Sequence, residues 1–195
     1  MQEPSCYAFH IALLEDRIAH MQMAEALSLI REIPDYPIPG VRFQDITPLL
    51  ANGDAFSTIT RKFASFAANG TLVAGIEARG FIFASAVAHE LNSGFVPIRK
   101  AGKLPHRTIS QKYGLEYGTD TLEIHIDAIA PGSSVLLIDD VLATGGTIAA
   151  AIELIHRSQA SIVAVLSLIE IEGLNGRKAL NEQYPEIAIT TLLVS

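Results

Sequence analysis

The run VLLIDDVLATGGT, from Val135 to Thr147, constrains this chain more than any other stretch. Its apolar part, Val135 to Ile138, ends in two adjacent carboxylates, Asp139 and Asp140. A turn of small residues follows, Ala143-Thr144-Gly145-Gly146-Thr147. Apolar residues then recur at Ile148, Ile152 and Ile155, the spacing of a helix with one buried face. That order sets two acids and a ring of backbone N–H groups at the carboxyl end of a buried strand, where open α/β sheets bind ligands. The glycines let the backbone curl closely around an anion, and the helix N-terminus behind them adds oriented donors and a positive dipole end. Thr144 and Thr147 can add hydroxyl donors. The turn suits a phosphate, and the acids suit vicinal hydroxyls or a metal-bound sugar. Standing alone, such a turn is also compatible with a plain strand-to-helix connection without a ligand. Rival phosphate motifs fail on spacing. Gly102-Lys103 is followed by Leu104, Pro97 stands where a Walker A loop needs its first glycine, and no G-x-G-x-x-G occurs.

Around this run, strand and helix patterns alternate, which predicts a mostly parallel, doubly wound α/β sheet. Helical spacing from Ile11 to Ile30 predicts one N-terminal helix or two short ones, stopped by Pro34, Pro37 and Pro39-Gly40. Pro34 to Leu50 reads as extended and loop-like, and Asp54 to Ala68 as a helix. Thr71 to Ile76 reads as a strand, followed by the turn Glu77-Ala78-Arg79-Gly80 and a helix to about Leu91. Phe95 to Ile98, Ser161 to Ile169 and Ile187 to Val194 read as further strands, with Val135 to Ile138 central. Gly102 to Gly118 is polar and broken by glycine and proline, and a loop of that length in a compact domain is usually functional. Leu122, Ile124 and Ile126 alternate with Glu123, His125 and Asp127, a half-buried strand. The loop is therefore expected to join two antiparallel strands and project as a flap.

A chain of 195 residues with 49% hydrophobic residues and mean hydropathy +0.32 suits one globular domain, 1–195. No apolar stretch reaches the roughly 18 residues of a membrane span, and no leader pattern opens the chain, so neither membrane nor secretion is expected. The single cysteine, Cys6, rules out an internal disulfide framework and fits a reducing cytoplasm. Net charge is −7, and Lys100, Lys103, Arg107 and Lys112 gather in one segment. That cluster is too small for a nucleic-acid face but could form a local anion site. The six histidines lack metal-ligand spacing, and His89-Glu90 has no second histidine to complete H-E-x-x-H, so no protein-built metal site is expected.

The run from Val135 to Thr147 closely resembles the phosphoribosyl-pyrophosphate (PRPP) signature of the type I phosphoribosyltransferases. Four other segments narrow the resemblance to the adenine phosphoribosyltransferases: PDYPIPGVRFQDITPLL (Pro34 to Leu50), GIEARGF (Gly75 to Phe81), IRKAGKLP (Ile98 to Pro105) and LEYGTDTLEIHIDAI (Leu115 to Ile129). The resemblance runs from about Leu27 onward and leaves residues 1–26 as a helical extension. It implies the type I phosphoribosyltransferase fold with a flap and a small hood, built from the N-terminal extended piece and the segment near Glu170 to Leu174. The implied activity is purine salvage, adenine plus PRPP giving AMP and pyrophosphate, by a cytoplasmic homodimer. Mg2+ would arrive bound to PRPP or pyrophosphate, since it prefers substrate phosphates and water to an all-protein cage.

The resemblance also implies site residues. Ala143 to Thr147 (Ala143, Thr144, Gly145, Gly146, Thr147) would hold the 5′-phosphate, and Asp139 and Asp140 the ribose hydroxyls. Arg79, Arg99, Lys100 and Lys103 would neutralise pyrophosphate. The family commonly has a cis peptide in the turn matching Glu77-Ala78. Glu116 on the flap would contact the base and manage its proton, with Arg79 the other catalytic residue, and Tyr117 could close over the site. Phe43 and Ile171 would sandwich adenine, with Arg42 and Gln44 beside them. Gln44 departs from the family, which usually has arginine there, so a base contact through that arginine is in doubt while contacts by the backbone of Arg42 would survive. Transfer to a 6-oxopurine is the runner-up. A PRPP-sensing regulator is disfavoured by the presence of Glu116, Arg79 and the whole flap, and by the lack of a basic DNA-binding module.

Overall fold

The computed structural model describes residues 21–68, 70–115 and 118–195. The chain divides into two compact units, one ending at Ile59 and one running from Thr60 to Ser195. The described part of the first holds α1 (Met23–Ser28), a two-stranded antiparallel sheet of β1 (Arg31–Pro34) and β2 (Arg42–Asp45), α2 (Thr47–Ala51), and the start of α3 (Gly53–Ala64). The part of the N-terminal helix expected between Ile11 and His20 lies outside the described residues. Pro34 to Leu50 is more ordered than its prolines suggest. Glu32 pairs with Gln44 and Ile33 with Phe43 across the hairpin. Asp35 Oδ1 accepts the Gly40 N–H at 2.7 Å to close its loop, and Asp45 Oδ1 accepts the Thr47 N–H at 2.9 Å where α2 begins. The carboxylates supply turn contacts that an apolar-periodicity reading does not register.

The second unit is a seven-stranded sheet in the order β5-β6-β4-β3-β7-β8-β9. β3 (Leu72–Ile76), β4 (Phe95–Lys100), β7 (Ser134–Leu142), β8 (Ser161–Glu170) and β9 (Ile189–Val194) run parallel, and β5 (Thr108–Leu115) and β6 (Gly118–His125) add an antiparallel hairpin at the β4 edge. This is the mostly parallel, doubly wound class expected. Helices cover both faces: Ala74, Ile76, Val135 and Leu137 share a buried cluster with Ile148, Ile152 and Ile155 of α5 (Gly146–Arg157). Gly75, between Ala74 and Ile76, instead faces Ala84 of α4 (Gly80–Glu90), closely enough that a Cβ on Gly75 would lie 2.6 Å from that of Ala84. A last helix, α6 (Gly176–Gln183), contributes Leu180 to the α5 cluster.

Three expectations need correction. β7 does not stop before the acids. It runs to Leu142 because β8 keeps pairing beside it, Asp139 with Ser167 and Leu142 with Glu170, so the backbone ladder outlasts the apolar run. Much of the expected Gly102-to-Gly118 loop is strand β5, paired with β6 from Thr108–His125 to Leu115–Gly118. Its sequence, TISQKYGL, has no clean period of two, so its pairing comes from β6 rather than from its own pattern. Leu122 and Ile124 are fully buried as expected, but Ile126 falls beyond the end of β6 and is exposed.

Candidate active site

The site gathers where β3 and β7 end. Asp139 and Asp140 are each only 7% exposed. Burial, and then the neighbouring Asp140 charge, push the Asp139 carboxyl well above its ordinary value; burial also raises Asp140, opposed by Arg79. Arg79 Nη2 lies 2.7 Å from Asp140 Oδ2, and Asp139 Oδ1 accepts the Asp140 N–H at 2.9 Å. Gly80 opens α4 so near Asp139 that a Cβ there would sit 3.0 Å from Oδ1, which brings the positive end of the helix to the carboxylates.

The turn before α4 is fixed from its other side. The Glu77–Ala78 peptide is cis, as the resemblance implies. Glu77 accepts two guanidinium bonds from Arg99, at 3.1 and 3.0 Å, and the Lys100 N–H at 3.0 Å. These bonds, led by Arg99, hold the Glu77 carboxyl below its ordinary value. Arg99 also donates to the Lys103 carbonyl at 3.2 Å, and Lys100 Nζ lies 3.0 Å from Asp120 Oδ2 on β6. Of the four cations expected around pyrophosphate, Arg79, Arg99 and Lys100 thus each face a carboxylate of the protein, and Lys103 is exposed.

The turn expected to hold a phosphate, here called the phosphate turn, follows at once. Gly145 is the N-cap of α5 with φ 87°, a left-handed conformation that favours glycine. Val141, Ala143, Gly145, Thr147 and Ile148 line a pit of about 40 Å³ there. Gly146 has an ordinary backbone, and a Cβ on it would meet the Gly114 carbonyl of β5 at 2.9 Å. Its smallness therefore seats the flap strand.

Support for the turn comes from a segment that drew little attention in the sequence. A Cβ on Gly176 would lie 2.1 Å from the Ala143 carbonyl oxygen, so the start of α6 rests directly on the phosphate turn. Arg177 locks it there. Its Nε donates to Glu170 at 2.9 and 3.1 Å, Nη1 to the Ile189 carbonyl at 2.7 Å and Nη2 to Thr191 Oγ1 at 2.7 Å, with a further bond from Nη2 to Glu170. The legible signal was Asn175-Gly176, a turn dipeptide, with Asn175 at φ 58°. Ile171 donates its N–H to the Leu142 carbonyl at 2.9 Å, just after β8, beside a cleft of about 540 Å³ lined also by Glu170, Asn175 and Arg177. In the first unit, Phe43 packs edge-on to Tyr36 with centroids 5.2 Å apart, Arg42 pairs with Glu32 at 3.4 Å, and Gln44 lies half-buried on β2. Glu116 and Tyr117 lie outside the described residues.

A buried acid pair, a glycine turn capping a helix and an adjacent arginine thus lie together at the carboxyl ends of parallel strands. Residues 47–192 match the phosphoribosyl transferase domain. An adenine phosphoribosyltransferase of Acidothermus cellulolyticus is 55% identical over 153 residues, 77% of this chain and 86% of its own. The crystal structure of adenine phosphoribosyltransferase from Thermoanaerobacter pseudethanolicus superposes with TM-score 0.82 at 43% identity, covering 89% of this chain and all of the other (100%). The Saccharomyces cerevisiae adenine phosphoribosyltransferase, complexed with an imino-altritol bisphosphate and adenine, gives 0.81 at 36% identity, covering 88% and 98%. The chain belongs to the phosphoribosyltransferase family and, within it, to the adenine phosphoribosyltransferases.

Two substitutions test this geometry. Gly176→Ala forces the Ala143 carbonyl to move. It is expected to weaken AMP binding by at least about tenfold and to cost roughly 1–3 kcal/mol of stability, the usual range for overpacking, as read by calorimetry and thermal melting. Asp139→Asn keeps the acceptor for the Asp140 N–H and removes the charge. Because the folded protein raises the Asp139 pKa, this group's contribution to stability is full below the ordinary value of 3.8 and is lost as pH rises through the folded pKa. The variant should therefore melt higher than the parent at pH 8, by roughly 2–4 °C for about 1 kcal/mol in a chain of this size. The difference should vanish towards pH 4, and PRPP affinity should fall. A lower melting temperature at pH 8 would show that the ionised acid is not a burden on the fold.

Proposed function

We propose that this chain transfers the 5-phosphoribosyl group of PRPP to adenine, giving AMP and pyrophosphate. The observation that carries the reading is the buried Asp139–Asp140 pair standing between Arg79 and the phosphate turn. A bond forms between a purine nitrogen and ribose C1 as pyrophosphate leaves, so positive charge develops on the sugar and negative charge on the leaving group. Ala143 to Thr147 anchor the 5′-phosphate through backbone and hydroxyl donors. Asp139 and Asp140 accept the ribose hydroxyls and lie close to the cationic sugar. Arg79, Lys100 and Lys103 take pyrophosphate oxygens, and Arg99, forked on Glu77, orients the turn that carries Arg79. Glu116 contacts the purine and moves its proton.

Mg2+ would arrive bound to PRPP and water, since no cluster of three or more His, Cys, Asp or Glu among the described residues could hold it. Its chemistry there would be to neutralise the leaving pyrophosphate. We place the enzyme in the cytoplasm as a homodimer. The single cysteine fits a reducing compartment, and no helix of the described residues is long and apolar enough to cross a membrane. The deciding assay is AMP formation from labelled adenine and PRPP. Turnover is expected with Mg2+ and a large loss on chelation. Its complete absence under both conditions would overturn the reading.

Base choice rests on β2. That strand pairs with β1 on one side, so alternate residues turn both N–H and C=O to its other edge. Adenine offers a 6-amino donor beside the N1 acceptor and can satisfy such an edge, whereas a 6-oxopurine presents the reverse pair. Ile171 is assigned a separate apolar contact with the base. If the backbone carries specificity, adenine is preferred over hypoxanthine by roughly 10⁴ or more in kcat/KM, and Gln44→Arg changes the adenine value by less than about tenfold. Equal use of hypoxanthine by the unaltered protein, or a large rescue by Gln44→Arg, would move recognition to the side chain.

A further inference from the structure

The segment that joins β8 to α6 is a closed loop whose two ends rest on adjacent residues at the exit of β7. Ile171 donates its N–H to the Leu142 carbonyl, and five residues later Gly176 is pressed against the carbonyl of Ala143. Between these ends Glu172 to Asn175 are all exposed, and Gly173 and Asn175 take left-handed φ values of 84° and 58°. Core packing therefore does not shape the middle of the loop; polar contacts do. The Ser195 carbonyl accepts the Glu172 N–H at 2.8 Å, and the Glu170 carbonyl accepts the Ser195 N–H at 3.0 Å. Arg177, just past the loop, reaches back to Glu170, just before it. Its Nε and Nη2 both donate to the Glu170 carboxylate, which closes the loop as a clasp. Thr191 Oγ1 on β9 completes the clasp, accepting from Arg177 at 2.7 Å and donating to Glu170 Oε2 at 3.0 Å. The reaction scheme uses none of these three side chains.

We infer that Arg177 is a positioning residue whose fork on Glu170 fixes the spacing between the base contact at Ile171 and the phosphate turn at Ala143. The inference rests on the reading above that Ile171 touches the purine and that Ala143 to Thr147 hold the 5′-phosphate. The loop begins at the first of these contacts and ends against the second, so its shape sets their separation. A nucleotide must satisfy both at once. A ligand that spans two subsites gains from the second contact only when their separation matches its own length. A misplacement of about 1 Å can cost about 10²-fold in rate even when it originates away from the reacting atoms. An arginine–carboxylate fork suits this task because two bonds in one plane fix angle as well as distance. The pair is also partly shielded from water, with the Glu170 side chain 15% and that of Arg177 34% exposed.

Three ligands separate a spacing role from simple support of either subsite. Adenosine reports the base side alone, ribose 5-phosphate the phosphate side alone, and AMP both together. Their calorimetric affinities are compared for the unaltered protein, for Arg177→Lys, which keeps the charge and loses the fork, and for Thr191→Val, which keeps the shape and removes the hydroxyl. In Arg177→Lys, AMP affinity is expected to fall by at least about tenfold beyond the product of the two fragment losses. In Thr191→Val the excess is expected to be about threefold, the order of one neutral hydrogen bond. Thermal melting confirms that each variant is folded, and Thr191→Val decides the matter if Arg177→Lys is not. If AMP loses no more than the fragments together, the spacing role is overturned and the assigned function stands. If the unaltered protein binds neither AMP nor ribose 5-phosphate, the assigned function is overturned and the spacing role falls with it.

Discussion

Two carboxylates side by side at the end of a buried strand are the constraint on which the rest of this structure depends. Water is nearly excluded from both, so burial raises the cost of ionising each, and the Asp140 charge raises it further for Asp139. The surrounding architecture offsets that cost locally. Arg79 faces Asp140, the first turn of α4 reaches Asp139 because Gly80 has no side chain, and the Asp140 N–H turns onto the Asp139 oxygen. Removing the ionisation is expected to make a more stable fold and, under the proposed function, a poorer ribose site. The pair is therefore an instance of stability yielded at the place where function needs a charge.

The phosphate turn inherits its rigidity from the same strand. Because β7 continues past the acids with β8 beside it, the chain leaves the sheet only at Leu142, already aimed at the turn. Gly145 then reverses the backbone, and the start of α6 closes the back of the loop with no room for a side chain at Gly176. Arg177 ties that helix to Glu170 at the end of β8 and to Ile189 and Thr191 on β9. Three parallel strands thus converge on one five-residue turn. A site built on strands and helix ends in this way is held more rigidly than one on free loops.

What the sequence made legible was local. Strand, acids, glycine turn and helix are contiguous, and each obeys a short-range rule of backbone chemistry, so the centre of the fold and the phosphate turn could be read directly. The rest depends on partners distant along the chain. Nothing in TISQKYGL announces a strand until β6 pairs with it. Arg99 and Lys100 read as free cations until Glu77, in the turn after β3, and Asp120, on β6, reach them. Gly146 read as a phosphate glycine, although the atom nearest its missing side chain belongs to the flap. Gly176 was invisible for the same reason, since its neighbour Ala143 is more than thirty positions away.

These distant partners share a pattern with chemical meaning. Arg79, Arg99 and Lys100 are each matched to a carboxylate, in a chain whose overall charge is −7. Bare cations crowded around a pyrophosphate site would repel one another and spread into solvent. Paired, they are held in place, and the bidentate Glu77–Arg99 fork fixes the turn that presents Arg79. Under the proposed function a polyphosphate would bind by exchange, its oxygens taking the place of the carboxylate oxygens of Asp140 and Asp120 already in position against Arg79 and Lys100. Such exchange would let an acidic protein hold a phosphate ligand without a large basic patch.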